Sequence, residues 1–118
     1  MLIDGRSIDN GSVFDADLCI FGAGAAGLSI VNEFINSKIK VLLIESGGIE
    51  FDENTQELYQ GEPADIGLES RRLRYFGGST NCWMGRCRPF DQLDFEARSW
   101  VPNSGWPISL KDLEPYYQ

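Results

Sequence analysis

The sequence contains no histidine and has few basic residues. Ten lysines and arginines stand against eighteen aspartates and glutamates, so the 118-residue chain carries a formal net charge of −8 at pH 7. Because binding to the phosphate backbone of nucleic acids needs clustered positive charge, this balance argues against a general nucleic-acid surface. The arginines are nevertheless concentrated, since five of the ten basic residues lie between Arg71 and Arg88. This clustering fits either a solvated loop or a contact with an anion or cofactor.

Targeting segments and metal motifs are also missing. The chain does not begin with basic residues followed by an apolar run, and its apolar stretches are far shorter than the roughly 20 residues of a transmembrane helix. The cysteines, Cys19, Cys82 and Cys87, are odd in number and have no paired zinc spacing. We therefore expect reduced thiols in a cytoplasmic protein, without a membrane span or a metal site.

Glycine, by contrast, is abundant. The chain has 13 glycines and 5 prolines, most of them after Gly47, within a composition that is otherwise globular at 42% hydrophobic and 24% charged residues. A chain of 118 residues can bury only a modest core, and the glycines and prolines indicate much irregular backbone for its length. The composition therefore suggests a piece of a larger fold.

A βαβ unit is predicted at about residues 16–46. The apolar run at 18–21 lacks polar alternation, which is typical of a parallel strand covered on both faces. A helical pattern follows and closes at Ser37 and Lys38, and "KVLLIE" then indicates a second buried strand. The apolar residues that share one side of the predicted helix are Leu28, Val31, Phe34 and Ile35.

Three glycines follow the first predicted strand directly, in the pattern of a dinucleotide-binding fingerprint. Gly22 permits a tight turn, Gly24 lets the backbone approach a pyrophosphate, and Gly27 allows the helix to pack close to the sheet. The phosphates would meet the free N–H groups of the helix N-terminus, which includes Ala25 and Ala26.

An acidic residue, Glu45, ends the second predicted strand and is followed by Ser46. Its carboxylate is placed to accept hydrogen bonds from ribose hydroxyls and to repel a 2′-phosphate. This disfavours NADP but leaves NAD and FAD open.

Short elements are predicted elsewhere from turn and capping signals. The dipeptide Asp4-Gly5 indicates a hairpin or a tight turn. Asp52 is the predicted N-cap of a short helix that ends near Gly61. Ser109, with Asp112 three residues later, has the spacing of a capping box.

The stretch "FGGSTNCW" at 76–83 fits neither an ordinary helix nor a strand. Gly77 and Gly78 allow unusual backbone angles and a nest of N–H donors. Ser79, Thr80 and Asn81 add short, directed side-chain hydrogen bonds. These features favour contact with a ligand, and the alternative is a glycine turn that joins two strands.

Three stretches together resemble the glucose-methanol-choline (GMC) oxidoreductases: "GAGAAG" with "LLIESGG", then "RLRYFGGSTNCWMGRCRPFDQLDFE", then "SGWPISLKDLEPYY". Within that family the sequence is most similar to the branch of bacterial FAD-dependent sugar dehydrogenases and pyranose oxidases. The resemblance implies an α/β fold, in which a Rossmann-like βαβ FAD-binding unit precedes a loop-rich, flavin-contacting segment at about 70–90. It identifies residues 1–118 as the N-terminal portion of a FAD-binding domain that is incomplete by itself.

The resemblance also implies the cofactor contacts. In relatives, the segment that matches Gly77–Trp83 wraps the flavin, and in several of them a histidine matching Cys82 is bonded to the flavin 8α carbon. A histidyl link within this segment is excluded here, whereas a cysteinyl link is chemically possible and a simple packing role is favoured. Arg72 or Arg74 would pair with the cofactor phosphates. The complete predicted cofactor site comprises Gly22, Gly24, Ala25, Ala26, Gly27, Glu45, Ser46, Arg74, Gly77, Gly78, Ser79, Thr80, Asn81 and Cys82.

The implied reaction is oxidation of a CH–OH group of a sugar or another small-molecule alcohol by hydride transfer to FAD, followed by electron transfer to oxygen, a quinone or a cytochrome. In relatives the catalytic pair, a histidine with an asparagine or a second histidine, lies near the far C-terminus. We therefore predict no catalytic residue in this chain and no activity of the chain alone. The alternatives are part of an NAD-dependent dehydrogenase or flavin reductase, which leaves Gly77–Trp83 without a task, and a non-catalytic truncated product.

Overall fold

A computed structural model describes residues 1–60 and 71–117 as a mixed α/β chain. The chain divides into two compact units, one spanning Met1–Met84 and one that starts at Gly85. The predicted cofactor residues all belong to the first unit.

The first unit contains a βαβ arrangement at the predicted place. Strands β1 (Leu18–Phe21) and β2 (Val41–Ile44) pair in parallel, and helix α1 (Ala25–Glu33) joins them. The register places Leu18 opposite Val41 and Phe21 opposite Ile44. The predicted order of elements and both strand positions are confirmed, while the Rossmann-like, FAD-binding nature of the unit stays a prediction.

Helix α1 is shorter than its sequence pattern indicates. It ends at Glu33 with Phe34 as C-cap, and Asn36 then adopts a left-handed conformation with φ of 71°. Because asparagine is one of the few non-glycine residues that visits this region readily, it allows the chain to leave the helix. The predicted end at 37–38 was therefore wrong by about one turn.

Strand β1 is covered on one face. Leu18 and Ile20 are half-buried, and the Ile20 side chain lies beneath α1 at the position of Gly27. Cys19 and Phe21, which point the opposite way, are exposed, Phe21 by 79%. The prediction of burial on both faces was thus wrong for β1, because its second face has no cover among the described residues. In β2, the first three residues are half-buried and Ile44 is exposed.

Two short elements of the first unit, after Asp4 and after Asp52, begin where the sequence predicted them. Asp52 caps helix α2 (Glu53–Glu57) by accepting a hydrogen bond from the N–H of Thr55 at 2.8 Å. This helix ends before Gly61, which lies outside the described residues. At Asp4 the chain forms a single 3-10 turn, so the tight turn is confirmed and the hairpin alternative was wrong.

The second unit is built from short helices and an aromatic cluster. Its helices are α3 (Gln92–Phe95), α4 (Leu110–Leu113) and a 3-10 helix at Glu114–Tyr116. The predicted capping box is present at the start of α4. In the aromatic cluster, the ring of Phe90 lies 5.8 Å from that of Phe95 and 6.3 Å from that of Trp106, measured between centroids. Across residues 1–60 and 71–117, no helix has the length and apolar character needed to cross a bilayer.

Candidate functional site

The candidate site lies where a later part of the chain crosses the carboxyl ends of β1 and β2. We call this part, Arg72–Gly78, the crossing segment. The N–H of Gly77 donates to the carbonyl oxygen of Ala23 at 2.8 Å, and the N–H of Phe76 donates to that of Gly48 at 2.9 Å. The crossing segment is therefore bonded to the loops that follow both strands.

These contacts bring the two predicted glycine-rich stretches side by side. Gly78 has φ of +55°, and a Cβ atom placed on it would lie 3.2 Å from the Cα of Gly24. The structure thus joins residues that are far apart in the sequence into one continuous backbone surface. Two of the predicted cofactor stretches therefore lie next to each other, and their role in holding a cofactor stays a prediction.

Two of the three fingerprint glycines are explained by the fold itself. Gly22 has φ of +96°, which L side chains rarely adopt. A Cβ atom on Gly27 would lie 2.0 Å from the carbonyl oxygen of Gly22, so α1 can approach the end of β1 only without a side chain there. Both observations agree with the roles predicted from sequence.

Gly24 has no such internal explanation. It is the N-cap of α1 with φ of −84° and ψ of −172°, a conformation open to any residue, and a Cβ atom there would meet nothing within 4 Å. No side chain caps the helix at this position. The first-turn N–H groups of α1, including those of Ala25 and Ala26, have no partners within the helix and adjoin this open space.

The carboxylate of Glu45 accepts hydrogen bonds from groups of the protein. Its Oε2 accepts a hydrogen bond from the N–H of Ala23 at 2.7 Å, and its Oε1 accepts from the N–H of Gly47 at 2.9 Å and from the hydroxyl of Ser46 at 3.3 Å. Partial burial raises the pKa of Glu45, but these hydrogen bonds outweigh it and hold the pKa below its usual value. A carboxylate has about four acceptor positions, and these three donors together with the backbone N–H of Ser46 already use them.

Ser46 and Arg74, both predicted cofactor residues, bond to each other. The Nη1 of Arg74 donates to the Ser46 hydroxyl at 3.1 Å, and the guanidinium carbon lies 4.1 Å from the centre of the Tyr59 ring. The Nε of Arg74 is buried and has no hydrogen-bond partner among the described residues. The guanidinium is therefore held in place on two sides near the end of β2.

In the stretch at 76–83, the side chains of Thr80 and Asn81 bond to the backbone of the same stretch. A 3-10 helix at Gly78–Cys82 is closed by the Thr80 hydroxyl, which donates to the Gly77 carbonyl at 2.5 Å. The amide of Asn81 donates to the carbonyls of Phe76 and Gly78 at 3.0 and 2.9 Å.

The remaining polar residue of this loop, Ser79, accepts a hydrogen bond from the N–H of Leu73 at 3.2 Å, which ties the loop back to the crossing segment. The short, directed hydrogen bonds predicted from the sequence therefore exist, but their partners lie within the loop and the crossing segment. Cys82, at the end of the 3-10 helix, is an exposed free thiol.

One residue of the site escaped the sequence analysis. Gln56 on α2 is 7% exposed and bonds to the backbone of both Arg72 and Arg74. A lone glutamine in a short helix of otherwise polar residues gives no sequence signal for such a contact. Within the part of the chain that the structure describes, no group of three or more Asp, Glu, Cys or His side chains is placed to hold a metal ion.

The chain is similar to 6'''-hydroxyparomomycin C oxidase of Streptomyces lividus. The two are 26% identical over a region that covers 86% of this chain and 21% of the oxidase, so the chain spans about a fifth of that relative's length. No protein-family model matches the chain. No solved structure matches it either.

Proposed function

We propose that this chain is the FAD-binding part of a flavin-dependent oxidoreductase of the GMC type, which oxidises a CH–OH group of a sugar or another alcohol. The observation that carries the proposal is the open space at Gly24. Neither backbone strain nor packing explains a glycine at this helix N-cap. The close approach of a ligand does explain it.

The residues around this space fit a dinucleotide. The diphosphate would lie against Gly24 and the N–H groups of Ala25 and Ala26, where the helix dipole favours negative charge. A ribose hydroxyl at Glu45 would share the carboxylate with the protein's own donors, and the ionised carboxylate opposes a 2′-phosphate. Arg74 supplies a nearby cation that the fold already orients.

The flavin contact is proposed from the neighbouring loop. Gly77 and Gly78 bring backbone directly beside Gly24, so one extended ligand could touch both glycine-rich stretches. When bound, FAD supplies the hydride acceptor that oxidation of an alcohol requires. The residues of this chain bind and orient the cofactor, and we assign none of them to proton transfer.

The similarity to an oxidase of 6'''-hydroxyparomomycin C supports the oxidoreductase class. It fits a hydroxylated substrate without defining which one. Together with the site, it favours redox chemistry at an alcohol.

The absorption spectrum of the purified protein tests this proposal. We expect flavin bands, and FAD in the supernatant after acid precipitation, because the favoured role of Cys82 leaves the cofactor non-covalent. Yellow colour that stays with the precipitate would place a covalent link in the protein. A colourless protein that binds NADH and does not take up added FAD would overturn the proposal.

A further inference from the structure

We propose that Gln56 is a positioning residue, whose side-chain amide fixes the crossing segment against residues 22–24, the loop between β1 and α1, which we call the glycine loop. The inference deepens the proposed function, since the surface it shapes is the proposed FAD site. Gln56 acts through the backbone of Arg72 and Arg74, to which its amide is bonded.

The Gln56 amide takes the place of a neighbouring strand. Its Nε2 donates to the carbonyl oxygen of Arg72 at 2.5 Å, and its Oε1 accepts from the N–H of Arg74 at 3.0 Å. The two bonds join the residues on either side of Leu73, as the bonds from one residue of a neighbouring parallel strand would. Being 7% exposed, the amide makes these bonds with little competition from water.

Fixing Arg74 determines where the next residues lie. The N–H groups of Phe76 and Gly77, two and three residues further on, bond to Gly48 and Ala23. With so few residues between them, a shift of the Arg74 backbone displaces both donors. Gln56 therefore controls whether Gly77 lies beside the glycine loop.

The turn that follows α2 orients the Arg74 side chain. Tyr59, three residues after Gln56, places its ring beneath the guanidinium at 4.1 Å. The segment around α2 thus holds the backbone of Arg74 with one residue and its charge with another.

Amide hydrogen exchange tests the inference without any cofactor. Gln56→Met keeps the volume and removes the hydrogen bonds to Arg72 and Arg74. We expect the Gly77 amide to exchange at least about tenfold faster in this variant, because leaving a buried backbone group unpaired costs on the order of 1–3 kcal/mol. The Gly22 amide, which bonds to Ile44 at 2.7 Å within the sheet, serves as internal reference and should keep its rate. The matched control is Gln60→Met at an exposed glutamine. Equal Gly77 exchange in the two variants would overturn the inference.

A second variant gives a signature that general destabilisation does not. In Gln56→Glu, a protonated carboxyl has an O–H donor for the Arg72 carbonyl and an oxygen acceptor for the Arg74 N–H, whereas the ionised form faces the Arg72 carbonyl without a donor. We expect Gly77 exchange, corrected for intrinsic rate, to match wild type at low pH and to rise as the introduced carboxyl ionises. Arg74 and Tyr59 are unchanged in this variant, so the introduced carboxyl is the one ionisable group by which it differs from wild type. A flat pH profile would count against the inference.

FAD titration then separates this inference from the proposed function. We expect Gln56→Met to bind FAD at least about tenfold more weakly than wild type and Gln60→Met. Faster Gly77 exchange in Gln56→Met, together with a wild-type protein that binds no FAD, would defeat the proposed function and leave the positioning role intact. Unchanged exchange and unchanged FAD affinity would defeat the positioning role alone.

Discussion

The N–H of Gly77 donates to the carbonyl oxygen of Ala23 at 2.8 Å, and the N–H of Ala23 donates to Glu45 at 2.7 Å. Ala23 is 1% exposed, and buried backbone groups need hydrogen-bond partners. Gly77 supplies the partner for its carbonyl oxygen and Glu45 the partner for its N–H. The glycine loop is therefore fixed from two sides by the protein's own groups. A site held this way has little ordering left to do when a ligand binds.

The close approach of the crossing segment to Gly47 can be tested by comparing alanine substitutions at Gly47 and at Gly48. A Cβ atom on Gly47 would lie 2.0 Å from the carbonyl oxygen of Arg74, whereas on Gly48 its nearest atom would be 3.5 Å away. We expect Gly47→Ala to lower the free energy of unfolding by about 1–3 kcal/mol or more, because backbone must move. Gly48→Ala should stay within about 0.5 kcal/mol. Urea unfolding measures both, and equal losses would contradict the crossing geometry.

The close approach of α1 to β1 makes a second prediction. In Gly27→Ala the new methyl group meets the Gly22 carbonyl oxygen at 2.0 Å, so the helix must move away from the sheet. We expect a loss of about 1–3 kcal/mol in the free energy of unfolding. Gly5→Ala, where a Cβ atom meets nothing within 4 Å, is the control. An unchanged Gly27→Ala protein would show that α1 does not pack in this way.

The lowered pKa of Glu45 makes stability depend on pH. A carboxyl whose pKa is lower in the folded state stabilises fully above its usual value, here 4.5, and loses this contribution as the pH falls through the folded pKa. In Glu45→Gln one of the two backbone N–H groups faces an amide NH₂, so we expect a loss of about 1–3 kcal/mol at pH 7. The difference from wild type should shrink below about pH 4.5. A difference that stays constant down to the acid limit would rule out this role for the carboxylate.

The backbone pattern of the first unit was largely predictable from sequence. Apolar runs located β1 and β2, and Asp52 located the start of α2, because these signals are local. The exposure of Phe21 was not predictable, since an apolar run indicates burial without saying which part of the protein provides it.

The site was predictable only in part, for a related reason. Glycine spacing indicated where the backbone must bend or approach closely, and the positions of Gly22 and Gly27 agree with it. The partners of polar side chains were not predictable, because Thr80 and Asn81 have local acceptors that compete with a ligand. Gln56 was missed because its partners lie 16 and 18 residues away.

The most direct test of the central claim is FAD titration of Gly24→Ser beside wild type and Gly5→Ser. Serine is at least as good an N-cap as glycine, so we expect Gly24→Ser to keep or slightly increase thermal stability. Its side chain enters the space proposed for the diphosphate, so FAD should bind at least about tenfold more weakly. Gly5→Ser, where the space is equally open, should bind FAD like wild type. Undiminished FAD binding by Gly24→Ser would contradict the account.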